Sequence, residues 1–190
     1  MGDEPLQAPT IELDEVRLRP LRLDDVDALY SYLRDPRVTE LTSYPEVSVP
    51  MVEALIERSQ RRWAAGELSK WGIVLRHNDQ VVGTCGFNEY SQPHRWAELA
   101  YDLAQPYWGK GLMRRVVAAV LRWTYERDQV DRVHAFVRVD NTRSSRLVEH
   151  FGFVREGRLR HYRICRGQPH DFYIYALLRS DWQRIQREAD

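Results

Sequence analysis

Cysteine is almost missing from this chain. Two residues in 190, Cys85 and Cys165, exclude a disulfide framework, and they lack the spacing of metal ligands. Reduced thiols and no bound metal are therefore expected. Neither sign of charge dominates: 28 Lys and Arg balance 28 Asp and Glu. That balance removes the overall basic footprint of a nucleic-acid binder. No apolar run approaches the length of a membrane span, and no hydrophobic signal segment opens the sequence, so a cytoplasmic location is expected. Met1-Gly2 does not begin a myristoylation motif, because Leu6 stands where Ser or Thr is needed. Repeats and low-complexity tracts are absent too. What is there, 43% hydrophobic and 29% charged, suits one globular domain with a sizeable core. Residues 1–14 read as a flexible lead-in and 15–190 as that domain.

Periodicity divides the domain. Val16 to Pro20 alternates as a strand. Asp24 and Asp25 open a helix to about Arg34, with Pro36 beyond its end. Ser48-Val49-Pro50 starts a second helix that stops near Gly66. Trp71 to Arg76 and Gln80 to Asn88 form a hairpin across His77-Asn78-Asp79, and Arg95 to Leu103 is the next strand. Gly111 to Arg127 carries Met113, Val116, Val117, Val120, Leu121 and Thr124 at helical spacing. Arg132 to Val139 alternates as a strand. Asp140 and Asn141 suit the cap of a short helix, Thr142 to His150, closed by Gly152. Phe153 to Ile164 and Asp171 to Leu178 are the last strands, joined through Gly167-Gln168-Pro169, and Ser180-Asp181-Trp182 begins a terminal helix. The order β-α-α-β-β-β-α-β-α-β-β predicts a mixed α+β sheet layered with helices.

The segment with most chemical content is Gln105-Pro106-Tyr107-Trp108-Gly109-Lys110-Gly111, between a strand and the long helix. Two glycines at such a turn let a ligand approach the backbone closely and aim amides outward. Those amides and the positive end of the helix dipole attract phosphate. Lys110, Arg114 and Arg115 crowd the same helix start, where the dipole disfavours cations unless a polyanion is present. The plainer account is a glycine turn before a core helix with solvated arginines.

Three segments in this order, AELAYDLAQPYWGKGL, VDNTRSSRLVEHFGFVREGRLR and GQPHDFYIYALLRSDW, resemble the GNAT superfamily of acyl-CoA-dependent N-acetyltransferases. Within it, the chain is similar to the RimJ/RimL branch, which acetylates ribosomal-protein N-termini. The resemblance runs from about Val16 to Trp182 and implies a mostly antiparallel central sheet with helices on both faces. It implies acetyl-CoA as co-substrate. The strand from Glu98 through Leu99, Tyr101 and Leu103 would pair with the pantetheine arm. The turn Tyr107, Trp108, Gly109, Lys110, Gly111 and Leu112, with Arg114, would hold the pyrophosphate. Asn141 would bond the pantetheine or adenosine-side linkage, and Ser144 would reach the departing sulfur. Pro106, Ala100 and Arg115 depart from the family pattern. Pro106 in particular removes one N–H donor.

Acetyl transfer needs a neutral amine, a stabilised oxyanion and a proton for the thiolate. Backbone amides near Leu103 are expected to polarise the thioester. Glu98 is the candidate base, directly or through water; the alternative is a surface carboxylate beside Arg95. Ser144 is the candidate acid; the alternative is a serine supporting its helix start. The histidines at 77, 94, 134, 150, 161 and 170 are expected at surface or hairpin positions, and Cys85 as a small buried hydrophobe. Tyr162 is a pocket residue or a core aromatic. Arg158, Arg160, Arg163 and Arg166 either draw an acidic acceptor or, as the plainer expectation, form a solvated face. The expected activity is acetyl transfer to a primary amine such as a protein N-terminal α-amine. A small-molecule acceptor (an antibiotic or polyamine) and a non-catalytic acyl-CoA sensor are the alternatives. An open charged groove at Thr39 to Glu46 would favour a peptide and a closed aromatic pocket a small molecule. A homodimer exchanging the last strands is a further expectation.

Overall fold

The computed structural model describes residues 8–189. Eight strands form one sheet in the order β1-β2-β3-β4-β5-β6-β8-β7. They are β1 (Ile11–Glu12), β2 (Val16–Pro20), β3 (Lys70–Leu75), β4 (Val81–Ser91), β5 (Trp96–Leu103), β6 (Arg132–Arg138), β7 (Val154–Cys165) and β8 (Gln168–Leu178). Six helices accompany them: α1 (Val26–Leu33), α2 (Pro36–Thr39), α3 (Val49–Ala64), α4 (Leu112–Glu126), α5 (Thr142–His150) and α6 (Arg179–Ala189). All strand pairs are antiparallel except β5 with β6. The α+β class and the mostly antiparallel sheet are those expected, and the expected element order is kept with β1 and α2 added to it.

Alternation along a strand sends neighbouring side chains to opposite faces. Ile73 accordingly joins a core with Val116, Val120 and Leu121 of α4, while Val74 joins another with Leu29 and Leu33 of α1 and Val52 and Ile56 of α3. Helices thus cover both faces. On α4 the spacing of Leu112, Val116, Val117, Val120, Leu121, Thr124 and Tyr125 makes one buried stripe. Each large side chain there contributes about 1.5–3 kcal/mol by leaving water.

Several elements differ from the sequence reading. The lead-in contains β1, which pairs Ile11 with Leu18, and the Pro9 carbonyl accepts the Trp71 indole N–H at 2.9 Å. The rest of it, residues 1–7, lies outside the described residues. Pro36 lies beyond the end of α1, as expected, but it also starts a further short helix, α2, at the first helical position, capped by the Asp35 carboxylate on the Arg37 amide. Its fixed φ is preorganised for that position. The last hairpin turns at Arg166 and Gly167, both at positive φ (53° and 76°), as a two-residue turn between twisted strands requires. Gln168 and Pro169 therefore belong to β8. The start of α1 is fixed by a buried pair, Arg19 Nη1 and Nη2 donating to Asp25 at 2.8 and 2.7 Å.

Candidate active site

The parallel pair β5–β6 sets up the site. Pairing runs through Trp96↔Arg132, Ala97↔Val133 and Glu98↔His134, and then ends. Beyond Glu98 the two strands part, and residues of both, Leu99 to Tyr101 and Ala135 to Arg138, line one pocket of about 120 Å³. Ala104 N–H donates to Val82 across β4. Antiparallel ladders alternate, so the backbone groups of Leu99, Tyr101 and Leu103 turn away from β4, toward the gap. Their leucine side chains stay in the core.

At the far end of β5 the chain makes a 3-10 turn, Gln105–Tyr107. Trp108 Nε1 donates to the Leu103 carbonyl at 2.7 Å, locking the turn onto the strand. Here the expected amide donors are corrected. Tyr107 and Trp108 spend their N–H groups on Ala104 and Gln105 inside the turn. Among the described residues, the amides of Gly109, Lys110 and Gly111 donate to no backbone carbonyl. Gly111 caps α4 at φ 72°, and Gly109 has φ 74°, conformations that cost a side-chain-bearing residue about 1–2 kcal/mol. A Cβ at Gly109 would meet nothing within 4 Å, so the bend has open space beside its backbone. It therefore fits a diphosphate approaching the backbone. Lys110 lies over the Tyr107 ring at 5.6 Å, and Arg115 is ion-paired with Glu15. Arg114 is exposed at the helix start. Arg143 of α5 covers the Trp108 ring at 4.2 Å.

Ser144 lies in the first turn of α5, its hydroxyl 2.7 Å from the Tyr101 hydroxyl. Burial pushes the Tyr101 pKa well up, so that hydroxyl keeps its proton at neutral pH. Asn141 Oδ1 accepts the Ser144 amide at 3.1 Å. Its oxygen therefore serves as a helix cap, which leaves its amide NH2 group to donate to a ligand.

Glu98 is buried, not a surface carboxylate beside Arg95. One oxygen accepts from Asn88 Nδ2 at 3.2 Å and from Arg163 Nη2 at 3.1 Å. Asn88 is the extra residue of a β4 bulge, since Phe87 pairs with Leu99 and Glu89 with Glu98. Bulges re-aim a side chain in this way. The Arg163 guanidinium sits 5.1, 5.2 and 5.6 Å from the rings of Phe136, Tyr162 and Phe172. It also donates to Ser43 Oγ. Arg166 reaches Thr39 Oγ1 and Arg138 the Glu40 carbonyl. The late arginines are thus not simply a solvated face: two of them, with Arg138, tie down the loop after α2. Arg158 pairs with Asp171 at 2.6 Å. Tyr162 is 41% exposed and packs on Phe136 at 4.7 Å, on the outside of the pocket wall.

His134 corrects another expectation. It is buried, its ring 5.1 Å from Trp96 and 5.3 Å from Phe136, because β6 is an interior strand. Burial lowers its pKa. Cys85 is buried, as expected, and burial raises its thiol pKa. Among the described residues no group of His, Cys, Asp or Glu could hold a metal, and no helix is long and apolar enough to cross a membrane.

One buried cluster escaped the sequence reading. Asp102 accepts from Tyr32 (2.5 Å), Tyr44 (2.7 Å), Thr84 Oγ1 (2.7 Å) and the Thr84 amide (3.1 Å). Lys70 Nζ donates to Tyr44 at 3.2 Å and lines the pocket with Glu98. Burial lowers the Lys70 pKa against the pull of Asp102 and other anions. The one signal was a lysine beside an apolar strand.

Residues 15–154 match the family described as Acetyltransferase (GNAT) domain. A protein named uncharacterized N-acetyltransferase p20, from Bacillus licheniformis, is 31% identical over 91% of this chain and 98% of its own length. The ribosomal protein uS5-alanine N-acetyltransferase of Escherichia coli is 28% identical over 62% of this chain and 61% of its own length. Among solved structures, RimL, a ribosomal L7/L12 α-N-protein acetyltransferase in complex with coenzyme A, superposes with a TM-score of 0.81 at 20% identity. That match covers 90% of this chain and 98% of RimL. The parted strands, the glycine bend and these likenesses agree: the chain belongs to the GNAT family of N-acetyltransferases.

Proposed function

We propose that this acetyltransferase uses acetyl-CoA as donor and the N-terminal α-amine of a peptide or protein as acceptor, by direct attack in a ternary complex in the cytoplasm. The observation that carries the acceptor assignment is the shape of the route to Glu98. The inner pocket is narrow, about 120 Å³, and beyond Ser43 and Tyr44 lies a groove of about 740 Å³. Arg34, Glu46 and Arg166 line that groove. A slim amine end with an extended remainder fits such a funnel.

The backbone of Leu99 to Leu103 binds the pantetheine arm as an added strand would. The amides of Gly109 to Gly111 and the dipole of α4 hold the diphosphate. That RimL, which shares the fold, is solved in complex with coenzyme A supports the choice of cofactor. Glu98 takes the amine proton, directly or through a water, and the Leu103 amide polarises the thioester carbonyl. As the amine nitrogen bonds to the acyl carbon and the C–S bond breaks, the Ser144 hydroxyl donates a hydrogen bond to the sulfur as negative charge develops on it, and the departing thiolate takes its proton from solvent. Much of the acceleration comes from alignment alone.

A thiol-release assay with acetyl-CoA tests the proposal, run on peptides with free and with blocked α-amines, on polyamines and on aminoglycosides. Turnover confined to free-amine peptides is expected. Turnover of small amines without any peptide turnover overturns the assignment.

A further inference from the structure

A second cavity, about 260 Å³, adjoins the inner pocket, and Tyr44, Lys70 and Asn88 line both. It lies between α3 and the start of β3. Its polar groups are already committed. Ser59 Oγ donates to the Lys70 carbonyl at 2.9 Å, and Ser69 Oγ to Ser59 Oγ at 3.2 Å. Arg58 pairs with Glu89 and donates to the Asn88 carbonyl. Arg62 pairs with Glu67 and donates to the same carbonyl. An anionic ligand would find no free guanidinium there. The surface left over is Pro45, Met51, Ala54, Leu55 and Phe87, and binding sites of this make-up hold apolar groups.

The partition between the cavities matters. Asn88 Nδ2 is bonded to Glu98, where the acceptor amine is placed by the proposed function. An amine at Glu98 therefore has its α-carbon at the partition, with its side chain able to cross it. We infer that this cavity is a specificity pocket for the side chain of the acceptor's amine-bearing residue, and that it selects a large apolar one such as Leu, Met or Phe. The inference rests on the peptide reading above and adds a requirement to it.

The test is a series of otherwise identical peptides beginning with Ala, Ser, Leu, Met or Phe, assayed for kcat/KM with acetyl-CoA. Large apolar first residues should exceed Ala by about tenfold or more, the usual worth of filling an apolar pocket. Ala54→Trp, at an exposed position on α3, should fill the cavity and bring that ratio close to unity. Met51→Trp, from an adjacent position, should do the same. Equal kcat/KM for all first residues in the wild-type protein overturns the inference while leaving the peptide reading intact. An unchanged preference in both folded variants overturns it as well. Failure of every free-amine peptide removes the peptide reading itself, and the pocket assignment with it.

Discussion

The Tyr101 hydroxyl meets the Ser144 hydroxyl at 2.7 Å, joining β5 to the first turn of α5. Because burial holds Tyr101 protonated, it is able to donate to Ser144 while Ser144 donates onward. Ser144→Ala should lower kcat about 10- to 100-fold, at or below the low end for a full proton-transfer group because the hydroxyl only hydrogen-bonds the thiolate, with little change in KM for acetyl-CoA. Tyr101→Phe should lower kcat by a smaller factor, and the double variant should resemble Ser144→Ala, because the two hydroxyls act in series. Steady-state kinetics decide the matter. A wild-type kcat in Ser144→Ala removes this residue from the reaction and leaves it as part of the helix start.

Asp102 holds four donors from α1, the loop before α3 and β4 on one buried carboxylate. Truncation leaves those donors without a partner. Asp102→Ala should destabilise the fold by about 3–5 kcal/mol, as removal of a buried charged partner does. Tyr32→Phe, which deletes one hydrogen bond to a charge, should cost about 1.5–3 kcal/mol. Urea unfolding measures both. A loss below about 1 kcal/mol for Asp102→Ala would mean that water replaces the carboxylate.

His134 provides a pH dependence with a definite sign. Burial lowers its pKa from the ordinary 6.5, so the folded protein resists a proton that the unfolded chain accepts. The stabilisation from the neutral ring is complete above that ordinary value. It declines as pH falls below it, until the folded protein is protonated too. Between about pH 7.5 and 5.5 the wild-type Tm should therefore fall further than that of His134→Leu. Equal falls in both proteins would show that the ring is charged without penalty.

Some of this was legible in the residues and some was not. Local signals were sufficient for the Gly109–Gly111 bend and for α4, since two glycines and a periodic apolar stripe act within a few positions. The cap at Asn141 was readable for the same reason. What escaped depends on partners distant in sequence. Tyr32 and Asp102 meet across 70 positions, and Arg163 finds Ser43 across 120. His134, expected at a surface or hairpin position, is buried because the sheet order makes β6 an interior strand. The β4 bulge that aims Asn88 at Glu98 follows from pairing with β5. In the same stretch, Gly86, at φ 147°, would place a Cβ 2.4 Å from the Ser69 carbonyl. That close approach fixes glycine there, and only the neighbouring strand reveals it.

The three rungs between β5 and β6 have one more implication. They form the narrowest fastening in the sheet's interior, with seven or more paired positions in the ladders on either side. A donor molecule lying along Leu99 to Leu103 would extend that fastening past its natural end. It would close a wedge as well as fill a site, while the core that Ala97 and Leu99 share with Val133 and Ala135 holds the two strands together beneath it.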